Sequence, residues 1–156
     1  MKITIQNGSG VTVLADHGRE GPDGLSLERQ FSEQIQKFLR GNNARAIDRG
    51  NALLQLSFTV RVEHASITAA QCYWFDRQFT VPRSGLVILE FDDQVTCRAM
   101  SESTIQLSMD PPIGSLIIEK ITIKSGVAYV AKPVFDSEGN PVFDSEGNPV
   151  YGLEAI

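Results

Sequence analysis

A chain of 156 residues with 42% hydrophobic and 21% charged side chains can bury one substantial core, which points to a single domain that needs no cross-links. A net charge of −5 and only two cysteines argue against a nucleic-acid binder and against a disulfide scaffold. No apolar run approaches the roughly 18 residues of a membrane-spanning helix. The opening Met1-Lys-Ile-Thr-Ile-Gln alternates as a strand does and does not read as a signal peptide, so the expected compartment is the cytoplasm in which the chain is made.

Residues 2–6 and 11–15 flank Asn7-Gly8-Ser9-Gly10 and predict a hairpin. Residues 17–24, rich in glycine with one proline, predict a loop. Residues 25–40 fit two patterns. Leu27, Phe31, Ile35, Phe38 and Leu39 make a helical stripe in a segment of good helix formers. Leu25, Leu27, Phe31, Ile35 and Leu39 are equally the odd positions of a long strand, and the sequence leaves both open. Residues 41–52 read as a turn or connector. From 54 to 62 Leu54, Leu56, Phe58, Val60 and Val62 alternate with Gln55, Ser57, Thr59 and Arg61, the pattern of a strand with one buried face.

Ser66 is a plausible helix N-cap and Pro82 a stop. The segment between them carries Ile67, Ala70, Trp74, Phe75 and, further on, Phe79, bulky enough to seal a core, with Trp74 or Phe75 expected to pack on strands 54–62 and 85–91. Residues 85–91 and 94–100 flank Asp92-Asp93 as a second hairpin. Residues 103–109 and 116–123 are further strands, separated by Asp110-Pro-Pro-Ile-Gly114. The expected class is mainly β (α+β): a β-sandwich or small barrel of about seven strands with one helix packed on it.

Residues 133–156 differ from the rest. Pro133-Val-Phe-Asp-Ser-Glu-Gly-Asn140 is repeated without change as Pro141-Val-Phe-Asp-Ser-Glu-Gly-Asn148, and a third copy begins at Pro149-Val-Tyr. Two copies are too few for a solenoid core. The segment reads either as a mobile arm indifferent to its length or as an extended arm that adds as a strand to a neighbour. It also carries Asp136, Glu138, Asp144, Glu146 and Glu154 with no base, so residues 1–132 hold all 14 Lys and Arg against as many acids and are formally neutral. Lys37, Arg40, Arg45 and Arg49, against Asp48, give a local excess of opposite sign. The expected organisation is therefore a body over 1–132 and an acidic arm over 133–156.

Chemistry-bearing motifs are sparse. His64 follows Glu63, but no third group at suitable spacing completes a base or a metal site, and a structural or surface role suits both His64 and His17. Asp92-Asp93 is simplest as a turn. The Asp-Ser-Glu-Gly-Asn turns lack the alternating carboxylates and the distant glutamate of a calcium loop. The glycines at 8, 10, 18, 21 and 24 lack the strand-then-helix context of a nucleotide fingerprint. Cys72 and Cys97 read as buried free thiols, with a bridge left open. No catalytic, cofactor or metal residue is expected.

The run Phe38-Leu-Arg-Gly-Asn, then Ile47-Asp-Arg-Gly-Asn51, Leu56-Ser-Phe-Thr-Val, Glu63-His-Ala-Ser, Ala69-Ala70, Gly85-Leu and Ile113-Gly114-Ser resembles small tail proteins of bacteriophages and prophages over about residues 35–125. The resemblance implies the group of tail-tube, tail-terminator and distal-tail proteins: a β-sandwich or barrel flanked by a helix, assembled as rings, with no catalytic residues to carry over. The acidic repeat is not part of that pattern. The expected function is a non-enzymatic structural subunit, a homo-oligomer that contacts other tail proteins and ends in the virion, with no nucleic-acid or membrane partner and no cofactor. Arg40, Arg45, Arg49, Phe135, Phe143 and Tyr151 are the expected assembly contacts, the arm's carboxylates being steered toward the three arginines of a neighbour in a head-to-tail contact. The alternative is a small β-sandwich binding module for a ligand or peptide, which calls for an exposed aromatic cluster around Tyr73 and Trp74 or a preformed concave pocket.

Overall fold

The computed structural model describes the backbone of residues 1–37 and 44–156, and the side chains of these residues except 19, 30–37 and 44–52. Nine antiparallel strands and one α-helix make up the described chain. The strands β1 (Lys2–Asn7) and β2 (Gly10–Ala15) form the expected hairpin, where Asn7 Oδ1 accepts the Ser9 N–H at 2.9 Å. A single 3-10 turn, Gly18–Glu20, interrupts the loop that follows.

The open question over residues 25–40 is answered by pairing. β3 (Asp23–Lys37) runs antiparallel to β4 (Ala44–Glu63), so the local helical propensity gives way to a continuous ladder. Residues 38–40 of that segment lie outside the described residues. The connector expected over 41–52 is corrected. From Ala44 onward it is already strand, paired up to Leu53 with β3 alone among the described residues.

Ser66 caps α1 (Ile67–Thr80) as anticipated, its Oγ accepting the Ala69 N–H at 3.1 Å. The helix lays Ala70, Tyr73 and Trp74 on Val62, Leu107, Met109 and Ile117, and the Trp74 indole N–H donates to the Met109 carbonyl at 3.2 Å. Trp74 therefore meets the sheet as expected, but at β4 and at the two strands that follow β5 (Ser84–Glu90), not at β5 itself. Phe75 lies one residue, about 100°, further round the helix and is exposed, so its expected core role does not hold.

The strands expected at 94–100 and 103–109 are one element, β6 (Cys97–Met109). Its apparent break is a bulge. Gly85 stands opposite Ser103 while Val87 stands opposite Met100, and Glu102 takes φ 51°. The extra residue switches which parity faces inward: Met100 lies in the main core before the bulge, Leu107 and Met109 on the inner face after it. Buried Ser103 donates its hydroxyl to the Met100 carbonyl at 2.8 Å within the bulge.

β7 (Leu116–Ser125), β8 (Val127–Pro133) and β9 (Tyr151–Ala155) complete the sheet, the last two unforeseen. The order is β2-β1-β5-β6-β7-β4-β3, with β8 beside β6 and β9 beside β8. β6 is thus a fork: its residues 97–101 pair β8 and its residues 104–109 pair β7. Ser125 Oγ sits in the crotch, 2.6 Å from the Ser101 carbonyl, and accepts the Val127 N–H at 3.2 Å. The end strands β2 and β3 do not pair, yet the sheet folds over far enough that Ile3, Ile5, Leu14, Leu56, Phe58, Val60, Val87, Ile121 and Ile123 share one core. The helix closes one end of this curl. A smaller core on the outer face gathers Ile88, Cys97, Ala99 and Ala131 under Tyr129 and Tyr151. Neither cysteine is bridged. Cys97 is buried as expected, whereas Cys72 is exposed on the helix.

Candidate assembly surfaces

The two long strands do not use their full length in the body. β4 pairs β7 only from Leu54 to Glu63, while its pairing with β3 continues outward to Lys37 opposite Ala44. Beyond Leu54 the described pairings form a two-stranded ribbon, and β3 has no partner on its other edge among the described residues. A bulge divides the ribbon: Phe31 stands opposite Ala52, Glu33 opposite Asp48. Arg49 falls in that bulge, and Arg45 stands opposite Gln36 in backbone register. Arg40 lies outside the described residues.

The repeat is ordered and docked on its own chain. In each copy the aspartate builds the turn. Asp136 Oδ1 accepts the N–H groups of Glu138 and Asn140, and Asp144 Oδ1 those of Glu146 and Asn148, all at 2.9 Å. These donors, Asn140 and Asn148 foremost, hold both carboxyls below the usual aspartate range. Gly139 and Gly147 each take φ 84°, which a Cβ would strain, so the Ser-Glu-Gly-Asn spacing follows from turn geometry.

The copies then close on one another. Val142 N–H donates to the Val134 carbonyl, Val150 to Val142, and Val134 to Val150, at 2.9, 3.0 and 3.0 Å. An aromatic residue faces a proline three times: Phe135 with Pro141, Phe143 with Pro149, and Tyr151 with Pro133 where β9 returns to β8. Two hairpin turns and the β8–β9 stalk thus form a pseudo-threefold unit. It leans on the first hairpin through Asn148, only 5% exposed, whose Nδ2 lies 3.5 Å from the Asn7 carbonyl. Phe135 and Phe143 are 58% and 56% exposed, whereas Tyr151 belongs to the outer core. Of the arm's two readings, the extended strand is the closer, but the strand β9 is added to this chain's own β8.

A buried polar cluster escaped sequence reasoning. Glu119 is fully buried on β7, where Arg77 holds it through Nε at 3.0 Å and Nη2 at 3.4 Å, and the Tyr73 hydroxyl donates to Oε1. Arg77 Nη2 also donates to the Val13 carbonyl at 2.9 Å, tying the edge of β2 to β7 through the helix. Burial first, and then the bond to Glu119, pushes the Tyr73 phenol far above its ordinary range. The available signal was parity: Ile117, Ile121 and Ile123 point inward, and period two puts Glu119 with them. His64 lies beside this cluster, its ring 4.5 Å from that of Tyr73, with Nε2 buried and unpaired. His17 hydrogen-bonds Glu90 at 3.0 Å on another part of the surface. Among the described residues no three His, Cys, Asp or Glu side chains gather as a metal would require.

At the end of the curl opposite the helix the core opens into an apolar cleft of about 280 Å³, lined by Leu25, Leu27, Leu54, Leu56, Leu89 and Met100 among others. No described helix is long and apolar enough to cross a membrane. No protein-family model, curated protein or solved structure matches this chain.

Proposed function

We propose that the chain is a non-enzymatic structural subunit of a phage or prophage tail, working by self-assembly and by contacts to other tail proteins. The observation that carries this reading is the β3–β4 ribbon. From Ala44 to the first rung shared with β7 at Leu54 it runs on the order of 30 Å with no third strand among the described residues. A two-stranded ribbon is marginal in water and gains stability when a neighbour covers its face or edge. The outer edge of β3 offers the backbone donors and acceptors for such an addition. The resemblance of residues 35–125 to tail proteins supports the same reading. The exposed Phe135 and Phe143, with Glu138 and Glu146 beside them, supply a second surface, and Arg40, Arg45 and Arg49 remain its proposed counterpart on a neighbour. Exposed ion pairs contribute about 0–1 kcal/mol each, so these charges set register and rate more than affinity.

Native mass measurement across a concentration series, with electron microscopy of the same samples, tests the reading. Discrete closed oligomers or stacked rings are expected, and replacing residues 32–51 by an Asn-Gly turn should abolish them while the melting transition persists. A wild-type chain that stays monomeric at every concentration overturns the proposal. The alternative of a small binding module draws on the apolar cleft alone, since Tyr73 and Trp74 face the core and provide no exposed aromatic platform. It predicts a monomer that takes up small apolar probes.

A further inference from the structure

Two apolar features without a partner among the described residues lie at opposite ends of the sheet. The first is the outer stripe of α1. Cys72, Phe75 and Phe79 are spaced i, i+3 and i+7 and share one face, while Ala70, Tyr73, Trp74 and Arg77 occupy the other. Phe75 and Phe79 are 59% and 76% exposed, with ring centroids 5.3 Å apart. The second is the apolar cleft, where Leu27 is 64% exposed. A shallower hollow beside it shares Leu27, Leu54, Ala128 and Ile156. Along β4 the helix packs at Val62 and the cleft opens at Leu54 and Leu56, roughly 20–26 Å away, so a chain cannot seat its own ridge in its own cleft.

The two features match in chemistry. One is a convex pair of phenylalanines, the other a concave wall of leucines. Asp76 is the only acid in α1 and flanks the ridge, and among the described residues Arg98 is the only charged side chain that lines the cleft. A phenylalanine buries about 150–250 Å² in all, and the parts of these two rings still exposed, with the cleft leucines, supply on the order of a few hundred Å² of a standard interface of about 1,600 Å². The ribbon is available for the remainder.

Resting on the self-assembly reading, we infer that the Phe75–Phe79 ridge of one copy docks in the Leu25–Leu27–Leu54 cleft of a second copy, head to tail. Because ridge and cleft are different surfaces, each contact leaves one of each unfilled, and addition continues until the rotation closes a ring.

Complementation tests this geometry. Phe79→Glu spoils the ridge and leaves the cleft, whereas Leu27→Glu spoils the cleft and leaves the ridge. Both side chains are exposed, so both variants should keep the wild-type circular dichroism and melting transition. Each alone should associate about 30-fold or more weaker than wild type, the size expected on losing an interface anchor. Mixed, they should form 1:1 dimers and stop there. The exposed Cys72 gives an independent readout: its reaction with a small thiol reagent should slow as wild-type concentration rises, and should not slow for Phe79→Glu. If wild type assembles and either variant assembles equally well, or the mixture gives no dimer, the ridge-to-cleft contact is wrong while self-assembly stands. If wild type never assembles, both readings fall.

Discussion

Replacing Arg77 by methionine would strand a carboxylate inside the protein. Arg77 is 12% exposed and Glu119 0%, so water cannot take over the solvation that the guanidinium now provides. Removing one partner of a buried ion pair costs about 3–5 kcal/mol, most of it the penalty of the uncompensated charge. Arg77→Met should also free the Val13 carbonyl and loosen β2 from the helix. In a domain of this size about 1 kcal/mol corresponds to 2–4 °C, so the transition should fall by about 10 °C. Urea denaturation at pH 7 would read the loss directly. The triple change Arg77→Met, Glu119→Leu, Tyr73→Phe removes the three side chains together and should recover most of that loss, because apolar replacements of similar shape leave no buried charge behind, and only the Val13 carbonyl stays without its donor. An Arg77→Met variant within about 1 kcal/mol of the parent, or a triple variant no more stable than the single one, would refute the argument that Glu119 is held as a buried charge.

Gly85→Ala should destabilise by about 1–3 kcal/mol or more, because a Cβ there would lie 2.4 Å from the Gln6 carbonyl oxygen and β1 would have to part from β5; thermal melts would show it. Tyr73 has a folded-state pKa raised above its unfolded value, so its share of stability is present below about pH 10 and declines as pH rises beyond that. Urea midpoints measured between pH 8 and pH 11 should therefore fall more steeply for the parent than for Tyr73→Phe. Trp74→Ala should cost about 3 kcal/mol by opening the contact with Met109 and Ile117, whereas Phe75→Ala should change the urea midpoint of the monomer little, since its ring covers no core.

Particular residues show what the sequence made legible. Strand β4 was clear from Leu54 to Val62 because one of its faces is buried and the other wet, the condition under which alternation is sharp. The helix start was clear because Ser66 does chemical work at the cap. Residues 25–40 were ambiguous because their apolar positions fit both periods, and over 25–37 only the backbone pairing with β4 decides for strand. The bulge in β6 looked like a gap between strands because it reverses parity at Glu102. β8 and β9 were missed because Val127, Ala128, Tyr129, Val130 and Ala131 form an unbroken apolar run with no alternation, and because the partner that makes Tyr151–Ala155 a strand lies across the repeat. In the repeat, the apolar segments and the turns could be placed from sequence, but not that Phe135 and Phe143 are exposed while Tyr151 joins the outer core. Leu25, Leu27 and Phe79 could not be recognised as an exposed cleft and ridge, since apolar residues at core-like spacing look the same whether they are covered by their own chain or by another.

The closed cycle through Val134, Val142 and Val150 has a consequence for how this gene can change. A tandem repeat in a tolerant tail would be free to gain or lose units by in-frame slippage. Here the stalk takes the third place in a circuit of three, so two octapeptides are the number that returns the chain to β8 in register. One unit fewer leaves a gap in the circuit, and one more leaves a hairpin with no seat. Geometry is accordingly expected to hold the copy number at two, while it asks of each copy only the Asp and Gly that build the turn and leaves the exposed Ser137 and Ser145 unconstrained.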